Sequence, residues 1–329
     1  MARSTTLHAA TSASTSVQRL GVARVDSVLS RSTCKELKEH ILSLKAGVGD
    51  PTAQRWAVWM GAADNRYVPG SRIRFSSALE ERLTSRRSDL LLPLEDGIVS
   101  DAVRTAASAL QETLCTAAQC LPLRVDHATA DAACTDADAD VDADSILSAR
   151  DLELVECGAL IALPGADHQA LHADFRRDNV MVTAAAERRS ADADAGHPAR
   201  DSAAERPNMP PRLVTFVYLQ DAPSVDHGPT AFLPGTANAR AHECVLTPDG
   251  RVREGALDDA TAEVATVAAG DAVMYDASVL HFGAANLVAD NDRVVLYFGI
   301  ARAGHAAECA GPTPEGWEAV DAVPLWDYC

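Results

Sequence analysis

Residues 163–174 read Leu-Pro-Gly-Ala-Asp-His-Gln-Ala-Leu-His-Ala-Asp, and the last three of them form a His-x-Asp motif at His172 and Asp174. Alternate residues of a β-strand point to the same side, so these two side chains can reach one point in space. His281 supplies a second imidazole from far downstream. Two imidazoles and one carboxylate are the ligand set that holds non-haem Fe(II) while leaving coordination positions open. We therefore predict one iron site formed by His172, Asp174 and His281.

The segments that follow the motif support its interpretation as a metal site, because they occur in a definite order along the chain. They are the apolar run 213–219 (LVTFVYL), the turn-rich 228–236 (GPTAFLPGT), 270–276 (GDAVMYD) and the stretch from His281 to Arg293. This succession resembles the phytanoyl-CoA dioxygenase family of Fe(II)- and 2-oxoglutarate-dependent oxygenases, over roughly Leu152 to Arg302. The resemblance implies a mainly β fold with flanking helices, namely a double-stranded β-helix of the jelly-roll, cupin-like type.

The resemblance also implies roles for particular residues. His172, Asp174 and His281 are carried over as the iron ligands, and Arg293 as the partner of the far carboxylate of 2-oxoglutarate. A guanidinium presents a rigid fork that suits a carboxylate, although Arg293 could instead form a surface pair with a nearby aspartate. For Gln169 and Asn286 two roles stay open, which are binding of the cosubstrate and capping of a turn.

The implied reaction uses Fe(II) as cofactor and 2-oxoglutarate and O2 as cosubstrates. It hydroxylates a C–H bond of a small-molecule or lipid-like substrate and releases succinate and CO2, with no separate acid or base assigned. Asp174 disfavours halogenation, because related halogenases carry a small residue at that position. The chain departs from the family at Gly283, where a hydroxyl residue is common.

Three other functions remain as alternatives. A prolyl-4-hydroxylase-like oxygenase is expected to have lysine in place of Arg293. A catalytically inactive jelly-roll binding protein would keep the fold without turnover. A zinc hydrolase can also use two histidines and an aspartate, but no general base is evident beside the motif.

Composition limits the partners and the compartment. The net charge of −18 over 329 residues opposes binding to a phosphate backbone, so we expect a small-molecule substrate and no nucleic acid. No apolar run is long enough to span a membrane. The eight cysteines lack a Cys-x-x-Cys pair and are expected to be free thiols in a cytoplasmic protein. A plastid or mitochondrial location stays open, because residues 1–25 contain arginine, serine and threonine but no acid.

The organisation of the chain follows from periodicity and composition. We predict a disordered N-terminus (1–16) and a single domain over 17–329, which comprises a helical part (17–120), an acidic insertion (125–145), a jelly-roll core (151–302) and a tail (303–329). Apolar residues at helical spacing predict helices at about 31–45 and 97–118. Short β-type runs lie at 152–163, 169–174, 212–219, 230–234, 263–268, 272–276 and 293–300. Residues 184–211 show no pattern, and we expect a mobile loop there.

Overall fold

The computed structural model describes residues 3–7, 13–47, 86–92, 94–119, 147–174, 212–247, 251–258, 260–303 and 323–324. The helices are α1 (Ala13–Leu20), α2 (Arg31–Gly47), α3 (Gly97–Gln119) and α4 (Ala239–Val245), with a short 3-10 helix at Ala149–Asp151. The strands are β1 (Arg3–Thr6), β2 (Val22–Val25), β3 (Arg87–Leu91), β4 (Leu152–Ala162), β5 (Leu213–Tyr218), β6 (Thr230–Phe232), β7 (Thr261–Val264), β8 (Ala272–Asp276), β9 (His281–Gly283), β10 (Arg293–Arg302) and β11 (Val323–Pro324).

Within these residues the strands form two sheets. The larger sheet has the order β11-β4-β10-β5-β8-β2, and β3 also pairs with β4. Its centre is the long strand β10, which is antiparallel to both β4 and β5. The smaller sheet has the order β1-β7-β6-β9. Strands that are distant in sequence lie side by side in both sheets, and the two sheets enclose an interior, as in a jelly roll. The predicted fold is confirmed.

The outer face of the larger sheet is covered by α2 and α3. One apolar cluster joins buried residues of both helices to alternate residues of β4, β5, β8 and β10. The stripe predicted for α3 faces this cluster, and its members are fully buried: Val99, Val103, Ala106, Leu110 and Leu114. Helix α2 begins at Arg31, where the Ser30 hydroxyl accepts a hydrogen bond from the Thr33 backbone N–H at 3.1 Å. Both predicted helices are therefore confirmed.

The inner face of the larger sheet is lined by large aromatic side chains. Phe216, Tyr275 and Tyr297 belong to a second buried cluster, together with Phe232 from the smaller sheet. The rings of Phe216 and Tyr275 meet edge to face, with 5.1 Å between their centroids. Because successive residues of a strand alternate between faces, this inner set and the outer apolar set come from the same strands. The candidate site opens within this inner aromatic layer.

Three expectations for short segments need correction. The N-terminus predicted to be disordered contains β1, which pairs in parallel with β7, and the start of α1. Edge pairing supplies backbone hydrogen bonds there, and Leu7 adds a buried side chain. The run 169–174 is not a strand, since only His172 forms an isolated bridge. In addition, β7 occupies 261–264 rather than 263–268.

Other expectations fall outside the described residues. These are the acidic insertion at 125–145, the loop at 184–211 and most of the tail, although Val323–Pro324 pairs with β4. The single domain over 17–329 stays a prediction. Among the helices in the described part of the chain, none is both long and apolar enough to cross a membrane.

Candidate metal centre

His172 and His281 are direct neighbours across an antiparallel bridge. The backbone N–H of His172 donates to the carbonyl of His281 at 3.0 Å, and the reverse hydrogen bond is 2.7 Å. The two imidazole centroids lie 4.4 Å apart. This pairing brings together two histidines that are far apart in sequence, and it does so through the backbone rather than through the side chains.

Both imidazoles make the same hydrogen bond, from Nδ1 to the backbone carbonyl two residues earlier. The Nδ1 atom of His172 lies 2.8 Å from the Ala170 carbonyl, and that of His281 lies 2.9 Å from the Val279 carbonyl. A carbonyl oxygen can only accept, so Nδ1 carries the proton in each neutral ring and Nε2 keeps its lone pair. Such hydrogen bonds are those that fix the tautomer of a metal-binding histidine.

Asp174 completes the group of ligand atoms. Its Oδ1 lies 3.9 Å from Nε2 of His172 and 3.8 Å from Nε2 of His281. Its Oδ2 accepts a hydrogen bond from the hydroxyl of Tyr275 at 2.9 Å. The three ligand atoms lie within 4.8 Å of one another, and no other group of this kind occurs among the described residues. Oδ2 of Asp174 is thus held by Tyr275, and Oδ1 faces both imidazoles.

A cavity adjoins these three residues and also contains Arg293 on its wall. Arg293 is only 2% exposed, and its Nε and Nη1 atoms are buried without a hydrogen-bond partner in the described part of the chain. Burial lowers the pKa of this guanidinium. Buried donors without partners are costly, so the site suits an anion that would accept from them. The alternative of a surface ion pair does not fit a side chain in this position.

Gln169 and Arg87 occupy the space beside Gly283. The Gln169 Oε1 accepts from the Gly283 backbone N–H at 2.8 Å. A Cβ atom at position 283 would approach Gln169 Oε1 too closely and would lie 3.0 Å from Nη1 of Arg87. The hydroxyl residue that is common in the family would therefore have to displace the end of the Gln169 side chain. Because Oε1 is engaged, the NH2 end of Gln169 is the part of the amide left for a ligand on the cavity wall.

Arg87 lies on β3 and is a residue that sequence analysis missed. Its guanidinium donates to the carbonyl of Asp167 at 2.7 Å and to that of Ala284 at 2.5 Å, which ties the loop before His172 to the segment after His281. Burial and the nearby charge of Arg293 lower the pKa of Arg87 to about 9. No motif surrounds this arginine in the sequence, so only strand pairing reveals it.

Asn286 is not on the cavity wall. Its side-chain amide donates to the carbonyl of Ala162 at 2.8 Å and to that of Asn291 at 2.5 Å, and its Oδ1 accepts from Asn291 at 3.0 Å. These contacts hold the turn that precedes β10. Of the two roles left open by the sequence, the contacts correspond to the structural one.

Three other histidines near the motifs, His168, His227 and His242, have hydrogen-bond partners outside the group of ligand atoms. His168 Nδ1 accepts from the Ala285 N–H, His227 Nδ1 lies 2.9 Å from the Ser224 hydroxyl, and His242 Nε2 lies 2.7 Å from the Ser278 carbonyl. None of these three histidines lies on the cavity wall.

Comparison with protein families gives one match, to phytanoyl-CoA dioxygenase, over residues 17–294. The chain belongs to the phytanoyl-CoA dioxygenase family. This confirms the family predicted from the ordered segments, and the His-Asp-His group has the donor atoms that could hold a metal ion. A comparison with curated proteins found no match.

Several solved structures are similar to this member of the family. The α-ketoglutarate-dependent epimerase SnoN of nogalamycin biosynthesis has 14% identity and a TM-score of 0.48, covering 94% of this chain and 89% of its own. HygX from Streptomyces hygroscopicus, with nickel and 2-oxoglutarate bound, has 13% identity and a TM-score of 0.44, covering 88% and 85%. AviO1 from Streptomyces viridochromogenes has 16% identity and a TM-score of 0.46, covering 94% and 100%. Because all three TM-scores are below 0.5, the assignment of the chain to its family rests on the family match alone.

Proposed function

We propose that this protein is an Fe(II)- and 2-oxoglutarate-dependent dioxygenase that hydroxylates a C–H bond of a small molecule. One observation carries the proposal: a single cavity joins the ligand atoms of His172, Asp174 and His281 to the buried guanidinium of Arg293, whose Nε and Nη1 have no partner among the described residues. A divalent metal suits the first group, and the far carboxylate of a dicarboxylic cosubstrate suits the second.

The residues around the cavity have separate roles in this proposal. His172, Asp174 and His281 would hold Fe(II), which together with 2-oxoglutarate and O2 supplies the oxidant for hydroxylation, with succinate and CO2 as coproducts. Arg293 binds and orients the cosubstrate through its fork of donors. The Gln169 amide is a second donor on the same wall. Tyr275 keeps Asp174 in place by holding Oδ2.

The cavity wall also protects the reaction from water. Leu160 of β4 and Val214 and Phe216 of β5 line the cavity, and these two strands flank β10 in the larger sheet. An apolar wall limits the entry of water and strengthens the electrostatic contacts inside the site. This wall favours a substrate that places a carbon skeleton next to the metal.

The experiment combines two readouts on the purified full chain. With Fe(II), 2-oxoglutarate and extracts of small molecules under ¹⁸O2, we expect formation of succinate and a product that gains one labelled oxygen. The His172→Ala variant should give neither. Succinate without an oxygenated product would contradict hydroxylation and indicate another outcome such as epimerisation or ring closure. Absence of metal binding by the wild-type chain would contradict the oxygenase itself and favour a binding protein.

A further inference from the structure

Glu156 lies on the wall of the same cavity and forms a buried ion pair with Arg212. Arg212 Nη1 donates to Glu156 Oε2 at 2.9 Å, and the two side chains are only 6% and 7% exposed. Taking two charges out of water costs more free energy than the pair recovers in many proteins, so stability is a weak reason to retain it. The surrounding inner layer is apolar and aromatic. A charged pair in that setting indicates a role in binding.

Strand register places Glu156 level with the metal centre. Glu156 pairs with Gly299 on β10, Gly299 pairs with Val214 on β5, and Val214 pairs with Tyr275 on β8. Tyr275 in turn contacts the ligand Asp174. Glu156 is thus three strand spacings of about 4.8 Å from Tyr275, along one row that crosses the sheet.

The two residues in the middle of this row have small side chains or none. Gly299 has no side chain and Val214 has a short one, so the sheet leaves space between the acidic end of the row and the metal end. The Glu156 side chain folds into that space, because a Cβ atom at position 299 would lie 2.7 Å from its Cγ and 3.1 Å from its Oε1. The carboxylate therefore lies over Gly299, facing the same cavity as Asp174.

The charge of the pair defines what it can bind. A carboxylate accepts hydrogen bonds and repels an anion, whereas Arg212 already neutralises its charge and leaves little gain for a cation. A neutral donor, above all a hydroxyl group, suits it best. The walls beside the row, Leu160, Phe216 and Tyr297, suit a carbon skeleton.

We propose that Glu156, held by Arg212, is a substrate-binding residue that recognises a hydroxyl group on a neutral, otherwise apolar substrate. The proposal rests on the proposed function only in taking the cavity as the place of reaction. It assigns the substrate class, namely an alcohol whose hydroxyl lies at the Glu156 end of the row while its carbon skeleton extends towards Asp174.

A matched series of probes tests this class. Cyclohexylmethanol, cyclohexylmethylamine, cyclohexanecarboxylate and ethylcyclohexane share a ring and differ in the polar group. Their dissociation constants are measured by saturation-transfer NMR on the full chain loaded with Zn(II) and 2-oxoglutarate. We expect the alcohol to bind about tenfold or more tightly than the other three, which is the effect of one hydrogen bond to a charged group.

Two variants test the residues. Glu156→Met combined with Arg212→Leu removes both charges, so no buried charge is left alone and the chain should fold. Gly299→Ala keeps both charges but displaces the carboxylate. Both should abolish the preference for the alcohol, while binding of metal and 2-oxoglutarate should be unchanged. Equal preference in wild type and both variants, stronger binding of the amine or the carboxylate, or no binding of any probe would overturn the proposal.

Replacement of Zn(II) by paramagnetic Co(II) separates this proposal from the proposed function. Enhanced relaxation of the ring protons of the bound alcohol is expected if the subsite adjoins the metal. Selective binding of the alcohol by a chain that does not bind Co(II) would support the Glu156 subsite and contradict the oxygenase function. Binding of Co(II) and 2-oxoglutarate without a preference for the alcohol would support the oxygenase function and overturn the Glu156 subsite.

Discussion

Replacement of Arg293 by methionine should abolish tight binding of 2-oxoglutarate without harming the fold. The guanidinium is 2% exposed, and two of its donor atoms, Nε and Nη1, have no partner in the described part of the chain. A charge-assisted hydrogen bond contributes about 1.5–3 kcal/mol, so two of them amount to about 3–6 kcal/mol. The dissociation constant should therefore rise by about a hundredfold or more. Arg293→Lys keeps the charge but loses the fork, and we expect roughly half of that free-energy loss.

The effect on stability should have the opposite sign to that of most core substitutions. In the absence of cosubstrate, the wild-type chain bears the cost of a desolvated cation, and burial lowers the pKa of Arg293 for the same reason. The free energy of unfolding of Arg293→Met should therefore be equal to that of the wild type or higher. The stabilisation that 2-oxoglutarate gives to the wild type by binding the native state should disappear.

The assay is anaerobic titration of the Fe(II) protein with 2-oxoglutarate, followed by the visible charge-transfer band of the chelate, with thermal unfolding in parallel. Arg31→Met is the matched control, because Arg31 is an exposed arginine paired with Asp221 and lies away from the cavity. Its titration should match that of the wild type. Identical titrations for wild type and Arg293→Met would refute the anchoring role and most of the case for 2-oxoglutarate.

Three further outcomes are expected. Tyr275→Phe removes the hydrogen bond to Asp174 and should weaken Fe(II) binding about 10–100-fold in a competition titration, with little change in 2-oxoglutarate binding at saturating metal, whereas an unchanged metal affinity would argue against the positioning role. Burial raises the pKa of Cys34 to about 11 and that of Cys157 to about 12, so both thiols should resist alkylation at pH 8 while exposed Cys244 reacts, as peptide mapping would show. Because these pKa values are raised, the two thiols favour the folded state below pH about 9 and lose that contribution as pH rises through 11 and 12. Leu110→Ala leaves a cavity under α3 and should lower the free energy of unfolding by about 2–5 kcal/mol in urea, and a loss near zero would show that the helix packs loosely.

Local patterns in the sequence determine much of this protein. The 3.6-residue period from Val99 to Leu114 predicts a helix with one apolar stripe. The helix is stable because a face of the sheet covers that stripe. The runs at 152–163 and 293–300 become the two long strands because their residues are apolar and β-forming along the whole run. The ligand types and their order along the chain also predict the proposed metal ligands, because His172, Asp174 and His281 are identified by chemistry and motif rather than by contacts.

The register of distant strands is decided only in the tertiary structure. A shift of one residue between β10 and its neighbours would turn Glu156 away from Gly299 and Arg293 away from the cavity, and no local pattern encodes that choice. For the same reason the sequence left Asn286 between two roles and did not reveal Arg87 or Tyr275 as parts of the site. Composition and periodicity determine what each segment becomes, whereas the packing of two sheets against each other determines which side chains share one cavity.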